Sequence, residues 1–202
     1  MNGHSQLGQD EWVFDTLHGH LYGTFLEIGA NDGVFHSNTL SLERDFGWHG
    51  WLVEGNRQLA AICHANRLSK VLNYYIAPVA RKQRFYDAKQ WGGLVEYTRE
   101  NLAANHRAYN SPIIEVPTVR LSTVLRPESL PQVVDYLSID LEGAEYPVLA
   151  EYFSGPHSDF HCITVEIGQA AEDLEKLCRL LVGYRLDKVV EWDAYFVNEV
   201  VA

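Results

Sequence analysis

One junction does most to limit what this chain can fold into. Phe25-Leu26-Glu27-Ile28 runs straight into Gly29-Ala30-Asn31-Asp32-Gly33, and a helical pattern resumes at residues 39–46. An apolar run of strand length thus stops at two glycines and several short polar side chains. Glycine permits a tight turn and a close approach of backbone to a ligand. A strand, a glycine turn and a helix in that order suit the carboxyl edge of a parallel sheet, where open α/β sheets bind ligands.

The same alternation continues along the chain. Helical patterns are expected at 9–17, 57–68, 98–109, 144–153 and 172–181, and strands at 24–28, 51–53, 71–76, 133–139, 161–167, 184–190 and 195–200. The continuous apolar and aromatic content of 71–76 predicts a strand covered on both faces. Leu59, Ile62 and Cys63 are expected to face inward, as are Leu174, Leu177, Cys178 and Leu181 at i, i+3, i+4 and i+7. Residues 77–130 are less regular and read as an insertion, with extended pieces at 84–86 and 113–119 and a turn at Trp91-Gly92-Gly93. A short Glu191-Trp192-Asp193 turn predicts a closing hairpin, so the last strand should run antiparallel. The expectation is one Rossmann-like α/β domain over residues 1–202, a mainly parallel seven-stranded sheet with helices on both faces.

The 202 residues are 47% hydrophobic, enough to bury a substantial core. No apolar run reaches the ~18 residues of a membrane helix, and the polar start lacks a signal-peptide core, so the expected location is cytoplasmic. Lys and Arg total 16 against 27 acids, a net charge of −11, which argues against nucleic acid and membrane surfaces. The short basic cluster Arg81-Lys82-Gln83-Arg84 reads as a solvated turn. Cys63, Cys162 and Cys178 show no metal or redox spacing and read as buried thiols in a reducing compartment.

If ligands bind at strand ends, the informative residues are the acids found there: Glu27, Glu54, Asp140, Glu142 and Glu166. Glu54, ending the second strand, can accept both hydroxyls of a ribose diol. The glycine run does not match the G-x-G-x-x-G of dinucleotide folds. Its acids, Glu27 and Asp32, suit a ligand with cationic groups better than a pyrophosphate. S-adenosylmethionine has a sulfonium, an ammonium and a ribose.

At these residues the chain resembles the FkbM-domain methyltransferases, a branch of the S-adenosylmethionine-dependent class I group. The resemblance lies in an ordered set of segments: Ser5-Gln6 with Gly8-Gln9-Asp10, Leu26 to Gly33, Ser37-Asn38-Thr39, Trp51 to Asn56, Val116 to Leu121, and Tyr136 to Glu145. It implies a class I methyltransferase fold and methyl transfer, usually to an oxygen of a sugar or natural product. It implies cofactor contacts from Gln6, Glu27, Gly29, Ala30, Asn31, Gly33, Asn38, Glu54, Gly55, Asn56, Ala77 and Asp140. The acceptor expected is a small molecule or glycan. The family often has proline where this chain has Gly55, a change expected to loosen the ribose loop.

A sugar hydroxyl needs a base or a metal to be activated. Asp140, Glu142 and Glu166, with His36 after the glycine loop, are the candidate catalytic residues. The acids can divide base and substrate-binding duty, the reading favoured here, or share a divalent cation such as magnesium. Plainer roles stand beside these: Asp140, Glu142 and Glu145 as caps of the helix at 144, His36 as a surface residue, and the Trp91 turn as packing rather than a lid. Two rival functions remain open at this point, an NAD-dependent oxidoreductase and a non-catalytic nucleotide- or partner-binding module.

Overall fold

The computed structural model describes residues 4–98, 110–126, 129–167 and 171–200. Helix α1 (Gln9–Thr16) leads into strand β1 (Thr24–Ile28), followed by α2 (Leu40–Phe46), β2 (His49–Val53), α3 (Arg57–Asn66) and β3 (Lys70–Leu72). Strands β4 (Tyr75–Ile76), β5 (Lys82–Tyr86) and β6 (Ile113–Val119) come next, then the short α4 (Leu121–Val124). The chain closes with β7 (Val133–Ile139), α5 (Glu145–Phe153), β8 (Asp159–Glu166), α6 (Ala171–Leu180), β9 (Tyr184–Val190) and β10 (Asp193–Asn198).

Seven strands form one sheet in the order β3-β2-β1-β7-β8-β10-β9. Neighbouring pairs from β3 to β8 are parallel, and β10 runs antiparallel to both β8 and β9. The hairpin at the end of the chain therefore places its second strand inside the first. Strands β4, β6 and β5 form a separate three-stranded sheet, with β5 and β6 inside the segment 77–130 expected to be an irregular insertion and β4 just before it.

Period-two alternation divides the large sheet's side chains between two cores. Phe25, Leu52, Tyr136, Cys162 and Tyr195 pack with Trp12 and Val13 of α1, Leu42 of α2 and Cys63 of α3. Leu26, Ile28, Leu137, Ile139, Ile163 and Val165 pack on the other face with Val148, Leu149 and Tyr152 of α5 and Leu177 of α6. Asn56 caps α3 by accepting from the N–H groups of Gln58 and Leu59. No helix of the described residues is long and apolar enough to cross a membrane.

Several local expectations are corrected. The run at 71–76 is two strands in two sheets, because Asn73 breaks it: its Nδ2 donates to the carbonyls of Glu54 and Gly55, both at 2.8 Å. Strand β3 lies at the sheet edge and is only partly covered. Arg81-Lys82-Gln83-Arg84 is not a turn, since β5 begins at Lys82 and pairs with β6. Ile62 is about half exposed, and Cys178 is exposed while Cys63 and Cys162 are buried. The helix expected at 98–109 falls almost entirely outside the described residues.

Candidate active site

The register of the sheet aligns its carboxyl ends in one row. Ile28 pairs with Val53 and with Ile139, Ile139 pairs with Val165, and Asp193 pairs with Glu166. The next position across the sheet is therefore Glu54, Gly29, Asp140, Glu166 and Asp193, on strands about 4.8 Å apart. Four of the five are carboxylates. The fifth must be small: a Cβ on Gly29 would lie 1.9 Å from the Asp140 carbonyl oxygen, and its φ is +89°.

This row floors a cavity of about 460 Å³. Of the residues singled out in the sequence, Gln6, Gly29, Asn31, His36, Asn38, Glu54 and Gly55 line it, as do Asp140, Glu142 and Glu166. Ala30 and Ala77 are buried away from it, and Gly33 packs against Arg67 and Cys63. Asn56 reaches it only through Glu54, whose Oε1 accepts from the Asn56 N–H at 2.6 Å.

Glu27 is placed differently from expectation. It is 4% exposed and lies on the α1–α3 face, accepting from Ser37 Oγ (3.0 Å), the Asn38 N–H (2.9 Å) and Thr39 Oγ1 (2.5 Å), with Arg67 Nη1 at 3.4 Å. Asp32 Oδ1 accepts from the N–H groups of Val34 and Phe35. Both acids of the glycine loop are thus used within the protein, and the cavity's negative charge comes from the strand-end row instead.

At one end of the cavity, Glu54 is fixed by the N–H groups of Asn31 (2.9 Å) and Asn56. Burial pushes its carboxyl up to about 7, the two backbone donors pull against that shift, and Asp140 adds to it. Tyr75 and Phe85 stand beside it in an edge-to-face pair at 4.9 Å. Gly55 does not loosen this loop: a Cβ there would sit 2.4 Å from the Tyr75 ring, and the Gly55 carbonyl is held by Asn73. The missing side chain makes room for the aromatic wall.

At the other end, Asp140 opens onto the cavity, yet the walls around it strip enough water to raise its carboxyl. A hydrogen bond from Glu166, the Glu142 backbone N–H and the nearby His36 oppose that rise. Glu166 is held well above the usual carboxylate range by burial and then by the charges of Asp140, Glu145 and Glu142. Glu166, the more strongly raised of the two, is the better placed to carry a proton shared with Asp140. Burial, Asp140 and Glu145 push Glu142 up to about 9.

Glu145 shapes the loop between them. Its Oε1 accepts from the N–H groups of Leu141 (2.6 Å) and Gly143 (3.1 Å), so it serves as a brace at the start of α5. Gly143 has φ +112°, and a Cβ there would meet the Tyr97 carbonyl at 2.4 Å. Asn31, His36, Lys89 and Glu142, all lining the cavity, have positive φ. Such backbone costs about 1–3 kcal/mol per residue and concentrates at functional sites.

Sequence reasoning missed Gln9, Phe35, Trp192 and Asp193, which also line the cavity. Asp193 is 7% exposed, accepts from Gln9 Nε2 at 2.5 Å, and is pushed up to about 7 by burial. The signal was present: an antiparallel last strand begins where its parallel neighbours end. Trp91 ends a short 3-10 turn (Lys89–Trp91) on the cavity wall.

The Methyltransferase FkbM domain matches residues 27–196. The chain belongs to the FkbM methyltransferase domain family. Its strand order, with the reversed β10 between β8 and β9, is that of class I methyltransferases, and the chain is an S-adenosylmethionine-dependent methyltransferase. Solved structures similar to this FkbM-domain chain include a TehB-like SAM-dependent methyltransferase from Corynebacterium glutamicum, at 11% identity over 97% of this chain and 89% of that one, TM-score 0.49. A putative RNA methyltransferase from Pyrococcus horikoshii gives 10% identity over 96% and 84%, TM-score 0.49. TrmK of M. capricolum, solved with S-adenosylhomocysteine, gives 9% identity over 94% and 68%, TM-score 0.44. No curated protein matches the chain.

The site fits the family's cofactor on one observation above others. Asn38 Oδ1 is buried without a hydrogen-bond partner, while its Nδ2 donates to Ser138 Oγ at 2.9 Å. A fixed amide oxygen on the cavity wall is an acceptor waiting for a donor such as an ammonium group.

Proposed function

We propose that this methyltransferase acts on a hydroxyl oxygen of a small sugar or natural-product acceptor. What supports this reading is the Asp140–Glu166 pair, two carboxyl groups side by side on the cavity floor beside Gly29, both raised by burial. Glu54 would hold the ribose hydroxyls, Asn38 Oδ1 the amino group, and Tyr75 with Phe85 the adenine. When bound, S-adenosylmethionine supplies a methyl group on sulfur, and the C–S electron pair leaves with sulfur to give S-adenosylhomocysteine.

Asp140 takes the proton of the acceptor hydroxyl as its oxygen bonds to the methyl carbon. Glu166 holds Asp140 in place and keeps it charged, and Glu142 with Asp193 orients the acceptor's other hydroxyls. Holding oxygen, carbon and sulfur near a line is the larger part of the task. Among the described residues lining the cavity, Lys89 is the sole lysine or arginine, which disfavours phosphorylated acceptors and nucleic acid.

Asp140, Glu145 and Glu166 each bring one oxygen to within 4.8 Å of the others. We read them as sharing a proton rather than a divalent cation, because Glu145 is engaged by backbone N–H groups and Asp140 by Glu166. The test is transfer of label from methyl-tritiated S-adenosylmethionine to a panel of neutral methyl glycosides and phenols, with tRNA and an amine as controls, each with magnesium or EDTA. Label in a hydroxyl acceptor that survives EDTA supports the reading. Label only in tRNA or the amine contradicts it.

A further inference from the structure

Arg67 follows the last turn of α3, and no expectation attached to it. Its side chain is fully buried and every guanidinium nitrogen is engaged. Nε donates to Glu43 Oε1 at 3.0 Å, and Nη2 to Thr39 Oγ1 at 2.8 Å. Nη1 reaches the Gly33 carbonyl (3.2 Å), Ser37 Oγ (3.0 Å) and Glu27 Oε2 (3.4 Å). One planar fork therefore ties together α2, β1, the glycine loop and the 37–39 turn.

Two of those pieces carry cavity wall. The glycine loop brings Gly29 and Asn31, and the 37–39 turn brings Asn38. Glu27 links the arginine to Asn38, since its Oε2 faces Arg67 and its Oε1 accepts the Asn38 N–H at 2.9 Å. Asn38 is thereby held with its amide nitrogen on Ser138 and its amide oxygen unpartnered. An ion pair intended only to join α2 to α3 would be complete with Arg67 and Glu43. The contacts to Ser37, Thr39 and Gly33 place the turn and the loop instead.

We propose that Arg67 is a positioning residue for S-adenosylmethionine, acting through Glu27 to fix Asn38 Oδ1 where the cofactor's amino group binds. The proposal rests on the reading of Asn38 as a cofactor contact. Arginine is suited to this because its rigid fork serves several acceptors in fixed directions, whereas a lysine ammonium cannot serve all five.

The experiment is calorimetric titration of S-adenosylhomocysteine into the parent chain, Arg67→Lys, Thr39→Val and Asn38→Ala, and into the two double variants with Asn38→Ala, with melting temperature measured alongside. Thr39→Val is nearly isosteric and loses only the hydroxyl shared by Arg67 and Glu27, so it reports even where Arg67→Lys does not fold. The expected result is about tenfold weaker binding for Arg67→Lys and about threefold for Thr39→Val, with neither adding to Asn38→Ala. A lowered melting temperature with unchanged affinity overturns the proposal, as does full additivity with Asn38→Ala or an Asn38→Ala that binds like the parent. Failure of the parent chain itself to bind counts instead against the cofactor reading as a whole.

Discussion

Two groups of carboxylates flank the glycine loop, and the protein holds them in opposite ways. Behind the loop, Glu27 and Glu43 are buried against the Arg67 guanidinium. Burial alone would raise Glu43, but Ser69, Arg67 and the Leu68 N–H outweigh it and hold the carboxyl below its ordinary range. In front of the loop, Glu54, Asp140, Glu166 and Asp193 share one row of the sheet, with no arginine among the described residues of the cavity wall. There burial wins, and all four are raised. A buried acid with an arginine is a fastener. A buried acid with other acids is a proton acceptor or a seat for a ligand's hydroxyls and cations.

The comparison predicts effects of opposite sign on the two sides. The largest is on the fastened side. Glu43→Gln leaves Arg67 partly unpaired and should cost about 3 kcal/mol of stability, read by urea denaturation. A loss below ~1 kcal/mol would mean the pairing is incidental.

On the cavity side, Asp140→Asn should slow methyl transfer to a responsive acceptor by about 100-fold or more while S-adenosylhomocysteine affinity stays within about threefold. Normal turnover would remove Asp140 from the mechanism. Glu54→Ala should weaken S-adenosylhomocysteine binding by about 1.5–3 kcal/mol. Because Glu54 holds its proton up to about 7, the parent chain should bind more tightly as pH rises from 6 to 8, and the variant should lose that slope.

The smallest effect is a gain. Asp193 in the folded chain keeps its proton up to about 7, whereas in the unfolded chain it loses it near the ordinary 3.8. Folding therefore takes up a proton between those values, and this group's contribution to the stability of the ligand-free protein falls as pH rises from about 3.8 to about 7 and is flat above that. Asp193→Asn keeps an oxygen for Gln9 and removes the charge. It should stabilise the ligand-free protein by about 1 kcal/mol at pH 8.5, roughly 2–4 °C in melting temperature, by less at pH 5, and not at all near pH 3. A loss of stability at all three pH values would show that Asp193 belongs with the fastened acids.

Much of this arrangement is legible in the residues themselves. The bounds of β1 and β9 follow from their apolar content and the glycines beside them. The acids just after β2 and β7 and at the end of β8 mark the cavity because a parallel sheet aligns its carboxyl ends. What stays hidden depends on partners distant in sequence. Glu27 looks like a strand-end ligand until Arg67, forty positions on, is seen beside it. Its place one residue before the end of β1, on the same face as Phe25, is the available clue that it points sideways. The break at Asn73 is hidden by a tertiary bond to Glu54 and Gly55, whereas Asp193 is within reach, because the expected closing hairpin already starts its second strand beside the ends of the parallel ones.

On this reading the acid row and the orphaned Asn38 oxygen together form a seat for S-adenosylmethionine. The most direct measurement is calorimetric titration of the protein at pH 8 with S-adenosylmethionine and S-adenosylhomocysteine, with NADH as control. One site should bind both sulfur compounds at micromolar concentration, with no heat from NADH. Silence from both, or binding of NADH alone, would contradict it.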